Sequence, residues 1–168
     1  MRRAGTRTHA GVFRNRTDMS GFVLDSRLAR DSELLEVIDA IEVRMMLRVP
    51  WPWLLLVPRA DGAVEPFDLD VRMRNRLWQL TLETGAALKT ATGADKINLG
   101  ALGNIVSQLH VHVVARHRDD PAWPQPVWGC RVPVPAEAEE RVRIETLRAL
   151  AAQIARSMPG RASVASQP

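Results

Sequence analysis

The sequence predicts an α+β fold: a mostly antiparallel sheet with one long central helix and a C-terminal helix. Three observations predict it. Two apolar runs are separated by the proline-broken "PWPW", which reads as a hairpin. Two longer stretches carry apolar residues at helical spacing. A further segment, "SQLHVHVVAR", alternates polar and apolar residues as a half-buried strand does.

Taken in order, "GFVLD" (21–25) reads as a short strand. "RLARDSELLEV" fits either a helical turn or a loop. "IEVRMMLRV" and "WLLLVP" predict strands near 41–48 and 53–58. "ADGAVEPF" is a loop by its glycine and proline. Over 68–92, Val71, Leu77, Trp78, Leu80, Leu82, Ala86 and Leu88 fall at the spacing of an amphipathic helix. Asp68 or Asp70 can cap its start, and Gly93 can end it. "KINLGAL" (96–102) predicts a strand, and 105–116 a stronger one. "RDDPAWPQPVWG" is a loop rich in proline and tryptophan. A second helix is expected over 135–158, with Pro135 near its start and glutamates in its first turn.

The chain of 168 residues suits a single domain, expected over 21–158, between a basic extension (1–20) and a frayed tail (159–168). Its single cysteine, Cys130, excludes an intramolecular disulfide and a cysteine-rich metal site. That fits a reducing, cytoplasmic setting. No apolar run reaches the roughly 18 residues of a membrane span. The formal charge of +4 hints at nucleic acid, but five arginines against Asp18 place all of it in residues 1–18. The rest of the chain is neutral, so nucleic-acid binding is expected only through that leader. The leader lacks the apolar core of a secretory signal. Its composition suits a disordered extension, with a transit peptide or an RNA-binding arm as alternatives. His9 lies within it and is given no role.

Three of the four histidines lie between Ser107 and His117. On a strand, residues i, i+2 and i+4 share a face, so Gln108, His110 and His112 are expected to point together. Leu109, Val111 and Val113 would pack the other way, onto a helix. Imidazole can act as nucleophile, acid or base near neutral pH. A histidine nucleophile needs one bare nitrogen and an acceptor holding the other. The same spacing suits a shared metal ion, or a half-exposed strand with no chemistry. Upstream, Gly100 and Gly103 in "NLGALGN" permit a tight turn and close approach of backbone N–H groups to an anion.

The segment "GNIVSQLHVHVV" resembles the histidine-triad (HIT) superfamily, whose signature is His-φ-His-φ-His-φ-φ with φ apolar. Gln108 stands in place of the first histidine. The order of hairpin, long helix, glycine turn and histidine strand is also similar to that family, over roughly residues 22–130. The resemblance implies a nucleotide substrate, no cofactor, no metal, and a homodimer with the sheet continued across subunits. It implies a nucleotide hydrolase acting on a phosphoanhydride or phosphoramidate, with dinucleoside polyphosphates among the candidate substrates. By residue-to-residue carry-over, His110 would attack the α-phosphorus and become a nucleotidyl-histidine. His112 would contact the phosphate and assist the leaving group. Asn98 and Asn104 fall where the family places polar contacts to phosphate or ribose, and Gln108 would contact substrate without titrating. The backbone carbonyl at 108 could orient His110. A nucleobase pocket would lie near Phe22–Leu24 and Met45–Leu47. Because His112 is not glutamine, hydrolysis is favoured over the transferase branch.

Two other classes remain open. A non-catalytic nucleotide-binding protein of the same fold is motivated by Gln108. A cupin-type metal site also uses His-x-His, but it needs an acid soon after the second histidine, where Arg116 and His117 stand. Arg116 reads as a solvated strand end, His117 as a surface residue and Cys130 as a small packing residue. Trp123 and Trp128 suit either base stacking or burial of their loop.

Overall fold

The structure, a computed structural model, describes residues 21–158. The basic leader with His9 and the last ten residues lie outside it. The elements are α1 (Ser26–Asp31), β1 (Ser32–Ile38), β2 (Ile41–Met46), β3 (Trp53–Pro58), a 3₁₀ turn (Pro66–Asp68), α2 (Val71–Thr92), β4 (Lys96–Gly100), β5 (Val111–Arg116) and α3 (Glu137–Ser157).

One five-stranded sheet has the order β1-β2-β3-β5-β4. Every neighbouring pair is antiparallel. Helices α2 and α3 cover one face, α2 lying on β5 and α3 on β1. Leu77, Leu80 and Leu88 of α2 and Leu147 and Ile154 of α3 pack there with Val43, Met45, Leu54, Leu56, Val111 and Val113. Leu109, Val111 and Val113 thus face the helices as their alternation predicts. Asp70 caps α2 by accepting from the Met73 N–H at 2.8 Å. Gly93 closes the helix at φ 66°, in the left-handed region where glycine carries no Cβ penalty. The glutamates of α3 sit in its first turn, at the positive end of the helix dipole.

Three expectations need correction. Residues 21–25 form no strand, although their alternation is real: Val23 is exposed while Phe22 and Leu24 pack inward. The first strand is instead Ser32–Ile38, inside "RLARDSELLEV". An irregular register between Leu34 and Glu36 buries Ser32, Leu35 and Ile38 at every third residue. That spacing imitates a helix and hides a strand. Finally, β5 begins only at Val111, so 101–110 is irregular backbone rather than the first half of a strand.

Candidate active site

The face of the sheet away from α2 and α3 carries the histidines. Leu55 of β3 and Gly100 of β4 both pair with His112, which places it on a central strand of that face. Trp51, Trp53, Leu55, Val57, Val106, Val114 and Val127 form an apolar cluster around it. Both imidazoles are 7% exposed. They meet edge to face with ring centroids 4.8 Å apart.

Each ring is held by its Nδ1, in opposite senses. The His110 Nδ1 lies 2.7 Å from the backbone carbonyl of Gln108. A carbonyl only accepts, so that nitrogen carries a proton, which in the neutral ring leaves Nε2 as a bare lone pair. The Trp53 indole N–H donates to the His112 Nδ1 at 2.9 Å. An indole only donates, so that nitrogen is bare and the proton sits on Nε2. Protonating His112 would break this buried bond. Burial and the neighbouring His110 accordingly push the His112 pKa down to about 3.

The other predicted site residues are distributed differently. Gln108 lies outside β5. Its side chain turns to the N-terminal segment, accepting from the Asp25 N–H and donating to the Val23 carbonyl, both at 2.9 Å. Asn98 lies on the histidine face, but its Oδ1 accepts from Arg116 at 2.8 Å. Asn104 is exposed in the loop between β4 and β5. Gly100 gives close approach, though to side chains: a Cβ there would lie 3.1 Å from Leu102 and 3.4 Å from the Trp128 ring. Gly103 adopts φ 69° and makes the turn.

Arg116 is not a solvated strand end. It is 1% exposed. Its guanidinium grips Asp120 in two places, at 2.6 and 3.1 Å, and donates to the Gln125 carbonyl at 3.0 Å. Burial alone would raise the Asp120 carboxyl, but hydrogen bonds from Arg116 and from the Ala122 N–H hold it below its ordinary value. Trp123 stacks on the guanidinium, 5.6 Å from its centre. The clamp folds the tryptophan-rich loop back so that Trp128 packs on His112 and Trp53. Both tryptophans therefore anchor the loop. Cys130 is exposed rather than packed, and His117 is half-buried. Met45 faces the helices, so it cannot line a pocket beside the histidines. Phe22, Leu24 and Met46 pack against the histidine-side cluster.

Trp53 and the Arg116–Asp120 pair escape a reading of the sequence. The i,i+4 charge spacing in "RHRDD" was the available signal for the second; for Trp53 it was an indole in an apolar strand.

A sequence model of the HIT domain matches residues 32–119. The chain belongs to the HIT family. It is similar to a histidine triad (HIT) protein from Sinorhizobium meliloti 1021, at 44% identity and a TM-score of 0.73 over 80% of this chain and 98% of that one. A histidine triad protein from Bradyrhizobium japonicum is 42% identical, with a TM-score of 0.72 over 76% of this chain and 96% of that one. A third, from Marinobacter aquaeolei VT8, is 38% identical, with a TM-score of 0.74 over 79% and 98%. No curated protein matches the chain. In this HIT protein, the described residues contain no cluster of three or more potential metal ligands. No helix among them is long and apolar enough to cross a membrane.

Proposed function

We propose that this HIT protein is a nucleotide hydrolase working through a covalent nucleotidyl-histidine. The observation that carries the reading is the bare Nε2 of His110, fixed by the Gln108 carbonyl beside a second imidazole that offers an N–H. The His110 lone pair attacks the α-phosphorus, an N–P bond forms, and the bridging bond breaks with its electron pair leaving on the departing group. Attack by water then breaks the N–P bond, returns the pair to Nε2 and releases a nucleoside monophosphate. The Nδ1–H bond to the carbonyl persists throughout and steadies the positive charge of the substituted ring. His112 supplies one hydrogen bond from Nε2–H to a phosphate oxygen. Its pKa of about 3 makes it a neutral donor rather than a cationic acid.

The test is rapid quenching of the full chain with a dinucleoside polyphosphate, followed by peptide mass mapping. A nucleotidyl adduct on His110 that forms and decays at the rate of turnover is expected. A protein that binds nucleoside monophosphate but forms no adduct is a non-catalytic nucleotide binder. The family further suggests a homodimer. The edge strand β4, with Leu99 and Leu102 exposed beside it, offers a surface for one. Light scattering at micromolar concentration should give twice the chain mass.

A further inference from the structure

Among the described residues, the histidine face holds a candidate nucleophile but no free acid, and that bears on which bond the site can break. We infer that the site cleaves phosphoanhydrides in preference to phosphoramidates, because Trp53 holds the imidazole beside the nucleophile as a neutral donor that cannot protonate an amine leaving group. The inference deepens the proposed reading and rests on His110 being the nucleophile.

The two leaving groups differ in what they require. A phosphoanhydride expels the oxygen of a phosphate, whose last ionisation lies near pH ~6, so it departs as a stable anion without a proton. A phosphoramidate expels an amine, whose conjugate acid titrates near ~10 as a lysine does. Its nitrogen must gain a proton before or during P–N cleavage. A positioned acid supplies such a proton with a gain of roughly 10²–10⁴-fold.

Among the described residues, no side chain near the ring pair fills that role. His110 attacks with Nε2, and its Nδ1 proton is bound to the Gln108 carbonyl. His112 carries its single proton on Nε2, and a second proton would displace the Trp53 indole from Nδ1. Trp53 is itself buried against that ring, 4% exposed. The remaining charged groups of this face are already engaged. On β2, Arg44 is bound by Glu42 and Ser32, and Glu42 also accepts from Arg59. Arg116 on β5 is closed by Asp120 and Asn98. Guanidinium groups also do not release protons at neutral pH. Asp25, in the segment tied to Gln108, is occupied in capping α1. Arg27 of α1 donates to the Ile105 carbonyl. Lys96 pairs with Arg116, four residues along β4 from the partner of His112 and so about 13 Å away. The first triad position, a histidine in the family signature, is here the non-titrating amide of Gln108. Trp53 is thus a positioning residue, acting on the chemistry through the tautomer of His112.

The experiment compares diadenosine tetraphosphate with adenosine 5′-phosphoramidate on the full chain, by kcat/KM and by single-turnover trapping of adenylyl-His110. The anhydride should be cleaved at least ~100-fold faster, within the range a missing acid accounts for. Trp53→Phe should free Nδ1, bring in an acidic limb for the phosphoramidate and narrow the ratio by about tenfold or more. His112→Gln keeps a neutral N–H donor and should form the adduct from the anhydride within about tenfold of the native rate, whereas His112→Ala should not. Equal or faster adduct formation from the phosphoramidate would overturn the inference while leaving the nucleophile standing. A ratio unmoved in a folded Trp53→Phe protein would also overturn it. No adduct from either substrate would remove the nucleophile, and the inference with it.

Discussion

The two faces of the sheet are buried about equally and differ in what they do with burial. Under α2 and α3, Val43, Leu54, Leu56 and Val111 are all fully covered by other apolar side chains. Across the sheet, His110, His112, Arg44, Glu42 and Arg116 are also buried, and Trp53 and Trp128 pack on His112. Burying such groups costs several kcal/mol each unless they are paired. The arginines meet that requirement completely: Arg44 has Glu42 and Ser32, and Arg116 has Asp120, Asn98 and Gln125. The imidazoles meet it by half, since among the described residues no hydrogen bond reaches the Nε2 of either ring. What distinguishes the candidate site is therefore a pair of nearly buried imidazoles whose Nε2 atoms keep hydrogen-bonding capacity for a ligand.

The sharpest way to break this comparison is to remove the free lone pair. His110→Ala should lower turnover by at least ~10³-fold, as losing a covalent nucleophile does, with thermal unfolding little changed. Nucleotide affinity, measured by calorimetry, should survive. Turnover near the native level in this variant would make the bare Nε2 irrelevant.

Stability separates the faces next. Arg116→Ala strands the Asp120 carboxylate in the interior, a change of about 3–5 kcal/mol for a buried pair. It should also release the loop that seats Trp128 on His112, so kcat/KM should fall with stability. Leu77→Ala on the opposite face opens an apolar cavity of comparable cost, about 2–5 kcal/mol. It should leave kcat unchanged at a temperature where the protein is folded. Denaturant melts and steady-state kinetics on the two variants distinguish a face that carries function from one that only holds the sheet.

Acid acts on the buried imidazole. His112 titrates at about 3 in the folded chain against 6.5 for an ordinary imidazole, so the unfolded chain binds the extra proton more readily. The stability that follows is fully present above pH 6.5 and is lost as pH falls toward 3. The melting temperature should drop over that window, and less steeply in His112→Gln. Equal slopes in the two proteins would remove the buried neutral imidazole from the account.

The smallest effect concerns Gln108. Its amide ties down Val23 and Asp25, while its backbone carbonyl holds His110. Gln108→Ala keeps the carbonyl and should reduce kcat/KM by less than about tenfold, with faster hydrogen exchange at the Asp25 amide. Each lost bond contributes only ~1 kcal/mol. Gln108→His should remain functional. If Gln108→Ala were as inactive as His110→Ala, the amide itself would take part in the chemistry.

These contrasts also explain what the sequence could show. The helix-covered face was legible because its burial, Thr81 and Thr84 of α2 apart, is apolar and follows the helix and strand periods, with Asp70 and Gly93 marking the ends of α2. The bare nitrogen of His110 was anticipated, since the carbonyl of residue 108 lies two residues away along the chain. The partner of His112 was not, because Trp53 is 59 residues away in sequence and meets it only across the β3–β5 ladder. Arg116 misled for the same reason: a strand-end arginine reads as solvated until a loop folds over it. Gln108 lies three residues before the start of β5, and its side-chain partners, Val23 and Asp25, are far away in sequence.

Two imidazoles, two residues apart, in opposite tautomers is the central claim, and long-range ¹H–¹⁵N correlation of the histidine side chains at pH 7.5 tests it most directly. His110 should show a protonated Nδ1 and a bare Nε2, and His112 a bare Nδ1 and a protonated Nε2 that persists below pH 5. A His110 protonated at Nε2, or a His112 carrying its proton on Nδ1, would contradict both the proposed nucleophile and the Trp53 lock.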